Sequence, residues 1–170
     1  WARQQGLSAE NELSYLREFD HITLSRVLLA RYQSDRTDGS ISGTVGLLER
    51  LLKAAEKGGR MGSVIEILIL QTIAYHAQGD LPAALLPLKH ALALAEPQSY
   101  IRMFLDEGLS MMQLLREASA REIMPDYTNK LLTAFESEKR KSEDKPDLPP
   151  ALPEGYRDGE PLIDPLSQRD

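Results

Sequence analysis

The sequence predicts an all-α fold in which antiparallel helix pairs stack as a repeat array, followed by an extended proline-rich tail. Three observations carry this reading. Apolar residues make 42% of the 170, they recur at helical spacing, and no stretch alternates with a period of two. Aromatics make only 6%, so the core is aliphatic, built mainly from Leu and Ala, which favour helices. Six of the 10 prolines crowd into the last stretch, from Pro146 to Pro165, where a helix cannot persist.

The elements follow in order. Ser8 is placed to cap a short helix over 9–18. Asp20 is placed to cap the next, to about Gln33, with Ile22, Val27, Leu28 and Tyr32 among its apolar residues. The density of Ser, Asp and Gly makes 34–43 a loop. From Thr44 to Lys57, residues Leu47, Leu48, Leu51, Leu52 and Ala55 form one stripe, and Glu49 and Lys53 pair on the wet side. Gly58-Gly59 stops that helix.

Ser63 to Gln78 is the most apolar helix, and Gly79 ends it. Asp80 then caps a helix that runs to Ala95, with Pro82 at its start, where a missing N–H costs little. Pro87 lies inside that helix and removes a hydrogen bond to the Ala83 carbonyl, at a cost of about 3 kcal/mol. The sequence therefore predicts a local kink there. Residues 100–106 read as a short helix, 109–121 as a longer one, and 126–139 as the last. The division is thus a helical-repeat body over 1–139 and a linker over 140–170. From Ser137 onward, nine acidic and six basic residues accompany few large apolar ones, too few to fold alone. The apolar Leu148, Leu152, Tyr156, Leu162 and Ile163 remain available to dock on a partner or back on the body.

Composition excludes several functions. Acidic residues outnumber basic ones 26 to 20, for a net charge of −6, so no broad phosphate-binding surface is expected. Without cysteine there is no disulfide, zinc–thiolate site or thiol nucleophile, which suits a cytoplasmic protein. No signal-peptide pattern is found, and the longest apolar runs, such as Ile67 to Leu70, are far too short to span a membrane.

Residues 65–98 form the clearest repeating unit. Ala84 and Ala91 are small enough to let two helices approach, Tyr75 and Leu88 fill the space between them, and Gly79-Asp80 makes the reversal. With Leu68 and Pro97 the spacing resembles a tetratricopeptide repeat, with Leu68 where Trp is usual and Thr72 where a small Gly is usual. The preceding pair, 20–33 with 44–57, has the same layout, with Thr44 where Ala is usual. Such pairs cannot bury their own apolar faces and must stack on neighbours into a superhelix.

Three further stretches point to one family. They are Asn11-Glu-Leu-Ser-Tyr-Leu-Arg-Glu-Phe-Asp-His-Ile-Thr-Leu-Ser-Arg-Val-Leu-Leu-Ala30, Tyr100-Ile-Arg-Met-Phe-Leu-Asp-Glu-Gly108 with Leu114-Leu-Arg116, and Pro161-Leu-Ile-Asp-Pro-Leu-Ser-Gln-Arg-Asp170. Together they resemble the MalT-like, LuxR-type large ATP-binding transcription regulators. In that family a nucleotide-binding module precedes a helical-repeat sensor, and a helix-turn-helix domain follows it. Leu166-Ser-Gln-Arg-Asp170 is similar to the opening of that last domain. The resemblance implies the C-terminal part of the sensor plus the linker to a DNA-binding domain. ATP is then expected only in the N-terminal module, and DNA contact only through the C-terminal domain. This chain carries no Gly-x-x-x-x-Gly-Lys-[Ser/Thr] phosphate loop, and Gly58-Gly-Arg-Met-Gly62 lacks the lysine.

The candidate binding residues are Glu66, Ile69, Ile73, His76, Tyr100, Arg102 and Asp106. The first four share one helix face, which in tetratricopeptide-like arrays lines the concave groove. An apolar floor with a few polar groups suits an effector, small molecule or protein. The plainer alternative packs Ile69 and Ile73 on a neighbouring helix and leaves Glu66 and His76 solvated. Arg102 and Asp106 form an i,i+4 pair that either faces the groove or stabilises a short helix by roughly 0.3 kcal/mol. Met103, Met111 and Met112 read as core rather than as an adaptable patch.

Catalysis is not expected. His21, His76 and His90 are scattered, and the Asp20-His21-Ser25 neighbours on one helix cannot form an acid–base–nucleophile line. Glu138-Lys-Arg-Lys141 reads as a solvated helix end. The functional expectation is a signal-sensing region of a transcription regulator. The rival is a free-standing adapter that binds a peptide or protein. An apolar end left open at the edge of the array would favour homo-oligomers.

Overall fold

The computed structural model describes residues 17–36 and 40–143, so the expected helix over 9–18 lies almost wholly outside the described residues. Among the described residues seven α-helices follow one another: α1 (Glu18–Ser34), α2 (Ser40–Lys57), α3 (Met61–Ala77), α4 (Leu81–Ala95), α5 (Arg102–Leu105), α6 (Gly108–Ala120) and α7 (Pro125–Glu143). A 3-10 turn over Glu96–Gln98 joins α4 to α5. No strand occurs among the described residues. α1 pairs with α2, α3 with α4 and α6 with α7, while α2 and α1 both pack on α3. This is the stacked hairpin array the repeat spacing predicts.

The residues singled out in the repeat occupy its seams. Ala84, Leu88 and Ala91 of α4 are fully buried, as are Leu48 and Ala55 of α2. Alanines at the crossing bring backbones close, and the leucines fill the space beside them. Thr72, also fully buried, donates its hydroxyl hydrogen to the Leu68 carbonyl at 2.9 Å, so a polar residue sits in the core at no hydrogen-bond cost. The α3–α4 reversal uses Gly79 at φ +83°, and Asp80 Oδ1 accepts from the Ala83 N–H at 2.9 Å. Replacing Asp80 by Ala should therefore cost about 1 kcal/mol, read as a lowered urea midpoint at unchanged slope. Asp80→Asn should cost much less, because its side chain also accepts.

Several boundaries differ from the sequence expectation. α1 starts at Glu18 with Arg17 at its N-cap, and Asp20 lies in the first turn instead of capping. Acids there suit the positive end of the helix dipole. α2 begins at Ser40, so the loop expected over 34–43 is shorter. Burial of Ile41 and Thr44 against the array outweighs the helix cost of Gly43. α4 runs unbroken through Pro87, which is itself buried. Of the short helix expected over 100–106, only Arg102–Leu105 is helical. Ser99 at φ +52° and Gly108 at φ +68° turn the chain on either side of it. α7 passes residue 139 and takes in Lys139, Arg140 and Lys141.

Candidate functional site

The candidate site lies where α1, α3 and the α5–α6 junction meet, beside the helix face expected to line the groove. Arg26 lies midway along α1, within the apolar-rich run Ile22 to Leu29. Its guanidinium reaches across two other elements: Nη2 donates to Glu66 Oε1 on α3 at 3.0 Å, and Nη1 donates to Glu107 Oε1 before α6 at 2.6 Å. The arginine side chain keeps 41% of its surface exposed, whereas that of Glu107 keeps 10%. Burial works to lower the Arg26 pKa, but the hydrogen bonds and charges of Glu107 and Glu66 outweigh it and raise it above the ordinary arginine value. One cation thus ties α1, α3 and the α5–α6 junction together through two carboxylates.

Clefts flank this bridge on both sides. One, of about 150 Å³, lies between Arg26, Leu29, Gln33, Ile73, Glu107 and Ser110. The other, of about 200 Å³, lies between Arg26, Glu66, Ile69, Met103 and Asp106. Both are smaller than the roughly 300–1,000 Å³ that encloses a drug-sized ligand, so each fits a single functional group.

The structure distributes the sequence candidates among several places. Glu66, Ile69 and Asp106 meet in the second cleft, and Ile73 lines the first. Ile69 and Ile73 are also core residues, at 1% and 5% exposure, and present only an edge to the clefts. His76 stands apart, in a cleft of about 400 Å³ with Leu81, Gln113, Arg116 and Glu117. Arg102 is exposed and bonds to Asp106 at 2.7 Å and to Glu138 on α7, linking α5 to the last helix. Tyr100 is exposed, and its carbonyl accepts from the Tyr127 hydroxyl at 3.0 Å. Met111 is fully buried, Met103 lines the second cleft, and Met112 is half-buried.

Arg26 and Glu107 were not among the sequence candidates. A charged residue interrupting the apolar-rich run of α1 was a signal for Arg26. For Glu107 the signal was its place in the Tyr100 to Gly108 stretch that carries the family resemblance. Asp20, His21 and Ser25 make local bonds instead of a relay: the Ser25 hydroxyl donates to the His21 carbonyl at 2.9 Å, and His21 Nδ1 is 2.8 Å from the Arg17 carbonyl oxygen. Among the described residues no group of three His, Asp or Glu side chains is arranged to hold a metal ion. No helix among them is long and apolar enough to cross a membrane.

A family model described as the MalT-like TPR region matches residues 1–121. No curated protein and no solved structure matches the chain.

Proposed function

Because the chain belongs to the family of MalT-like TPR regions, we propose that it is the signal-sensing and protein-interaction region of a bacterial ATP-dependent LuxR-type transcription regulator. An effector, small molecule or protein segment, binds the inner face and through it controls a DNA-binding domain. The observation that carries this reading is the Arg26 bridge. A residue that spans α1, α3 and the α5–α6 junction couples the angles between successive helix pairs to whatever binds beside it. A group entering either cleft competes for Arg26 or for its carboxylates. It then favours one curvature of the array over another, and only such differential affinity can shift a two-state equilibrium.

The clefts supply chemistry for both ends of a polar ligand. Arg26 and Gln33 offer donors in one, whereas Glu66 and Asp106 offer acceptors in the other. Thermal-shift screening of the chain against a panel of metabolites and short peptides tests the reading. The expected result is a stabilising hit whose shift disappears in Arg26→Gln and in Glu66→Ala. A hit left unchanged in both variants would remove the inner face from the proposal.

A further inference from the structure

The last helix pair carries another groove, which shares no lining residue with the two clefts beside Arg26. It has a volume of about 570 Å³ and lies between α6 and α7, floored by Leu105, Leu109, Met112 and Phe135. Leu109 is 73% exposed, although every other face of α6 that carries a leucine is buried. Lys139 and Lys141 stand on the rim, and the rim acid Glu138 is paired with Arg102. An apolar floor with a basic rim calls for an occupant that is apolar and acidic.

We infer that this groove docks residues 147–153 of the same chain, Asp-Leu-Pro-Pro-Ala-Leu-Pro, with Leu148 and Leu152 against Leu109, Met112 and Phe135. Three features of the chain select this occupant. The first is chemistry: residues 144–170 contain seven acidic and three basic residues, and Asp147 and Glu154 flank the two leucines. The second is reach. Glu143, the end of α7, lies about 12 Å along the helix from Phe135, at a rise of ~1.5 Å per residue. The nine residues from 144 to 152 span about 28 Å at the ~3.1 Å per residue of a proline-rich chain, enough to double back over the floor. The third is entropy. The prolines restrict the free segment, so docking orders fewer conformations than a flexible linker would lose. Since α7 leads straight from the groove into the segment, the effective concentration of the two is high. The docked segment would hold whatever follows it against the last helix pair.

The chain has no cysteine, so a single label is unambiguous. A nitroxide on Ala151→Cys in the full chain should broaden the Met112 methyl resonance and leave that of Met61, at the start of α3, sharp. Introducing Leu148→Asp and Leu152→Asp into the labelled chain should restore the Met112 signal. Three results would overturn the proposal: an unbroadened Met112, broadening that persists in the double variant, or broadening that appears only when labelled chains are mixed with unlabelled, isotope-enriched ones. The last would assign the groove to a second copy.

Discussion

Replacing Phe104 by Ala is expected to lower stability by about 3–5 kcal/mol, the largest loss for any single truncation in this chain. Among the described residues Phe104 is the largest of the fully buried side chains, yet it belongs to α5, a helix of only four residues that has little stability of its own. Its ring meets that of Tyr127 edge-on, with centroids 6.3 Å apart and planes at 85°. The Tyr127 hydroxyl in turn holds the Tyr100 carbonyl, and burial, aided by the charge of Glu96, pushes its pKa up to about 12. Phe104 therefore anchors the α5 turn onto α7. Because repeat arrays bind their neighbours only locally, the loss should fall first on α5 to α7, with α3 and α4 retaining amide protection. Phe104→Leu should cost less than half as much. Urea unfolding and hydrogen exchange of both variants check this. A loss for Phe104→Ala below about 1 kcal/mol would mean that α5 is not held by this ring.

The second large effect concerns Glu18 and Arg60. Arg60 Nε donates to both Glu18 carboxylate oxygens, at 3.0 and 2.9 Å, its Nη2 also contacts Oε2, and the same Nη2 donates to the Ala54 carbonyl at 2.9 Å. The pair ties the start of α1 to the turn between α2 and α3. The glutamate side chain is 10% exposed and that of the arginine 25%. The Arg60 hydrogen bond, joined by Ser63 and the Arg60 charge, holds the Glu18 carboxyl below its ordinary pKa of 4.5 against the opposing effect of burial. Arg60→Met should cost roughly 2–3 kcal/mol, because it strands a nearly buried carboxylate. Glu18→Gln should cost about 1–2 kcal/mol. Combining the two should cost less than the sum, because the stranded charge is gone.

The pH dependence has a definite sign. The folded state holds Glu18 ionised more strongly than the unfolded state does. Its contribution is therefore complete above pH 4.5 and is lost as pH falls through the lower folded value. The unmodified chain should lose stability on acidification more steeply than Glu18→Gln, and the two should converge at low pH. Parallel curves for the two proteins would remove the pair from the acid response.

Much of the fold was legible in the residues. The stripe Leu47, Leu48, Leu51 and Ala55 became the buried face of α2, and the Gly79-Asp80 reversal appears as a left-handed glycine followed by a capping carboxylate. Both are local: the helical period and the turn chemistry each act within a few residues. The start of α2 was misjudged for a tertiary reason. Ser40 to Gly43 reads as loop by composition, yet burying Ile41 and Thr44 against the array makes it helix. For the candidate site, face periodicity put Glu66 and Ile69 on one side of a helix with Ile73 and His76, and Asp106 came separately from the 100–108 stretch; stacking brings Glu66, Ile69 and Asp106 to one cleft beside a cation the pattern did not single out, and His76 to another.

The amino-acid order alone settled that the body is helical, where its reversals fall and which side of most helices turns inward, because these depend on spacing within a turn or two. Only the tertiary structure decided that Arg26 meets Glu66 forty positions away and Glu107 eighty-one positions away, or that Leu105 and Leu109 form a floor with Phe135. Such contacts depend on how the pairs stack. Stacking is set by the summed packing of whole helix faces, in which no short segment carries enough of the energy to announce its partner.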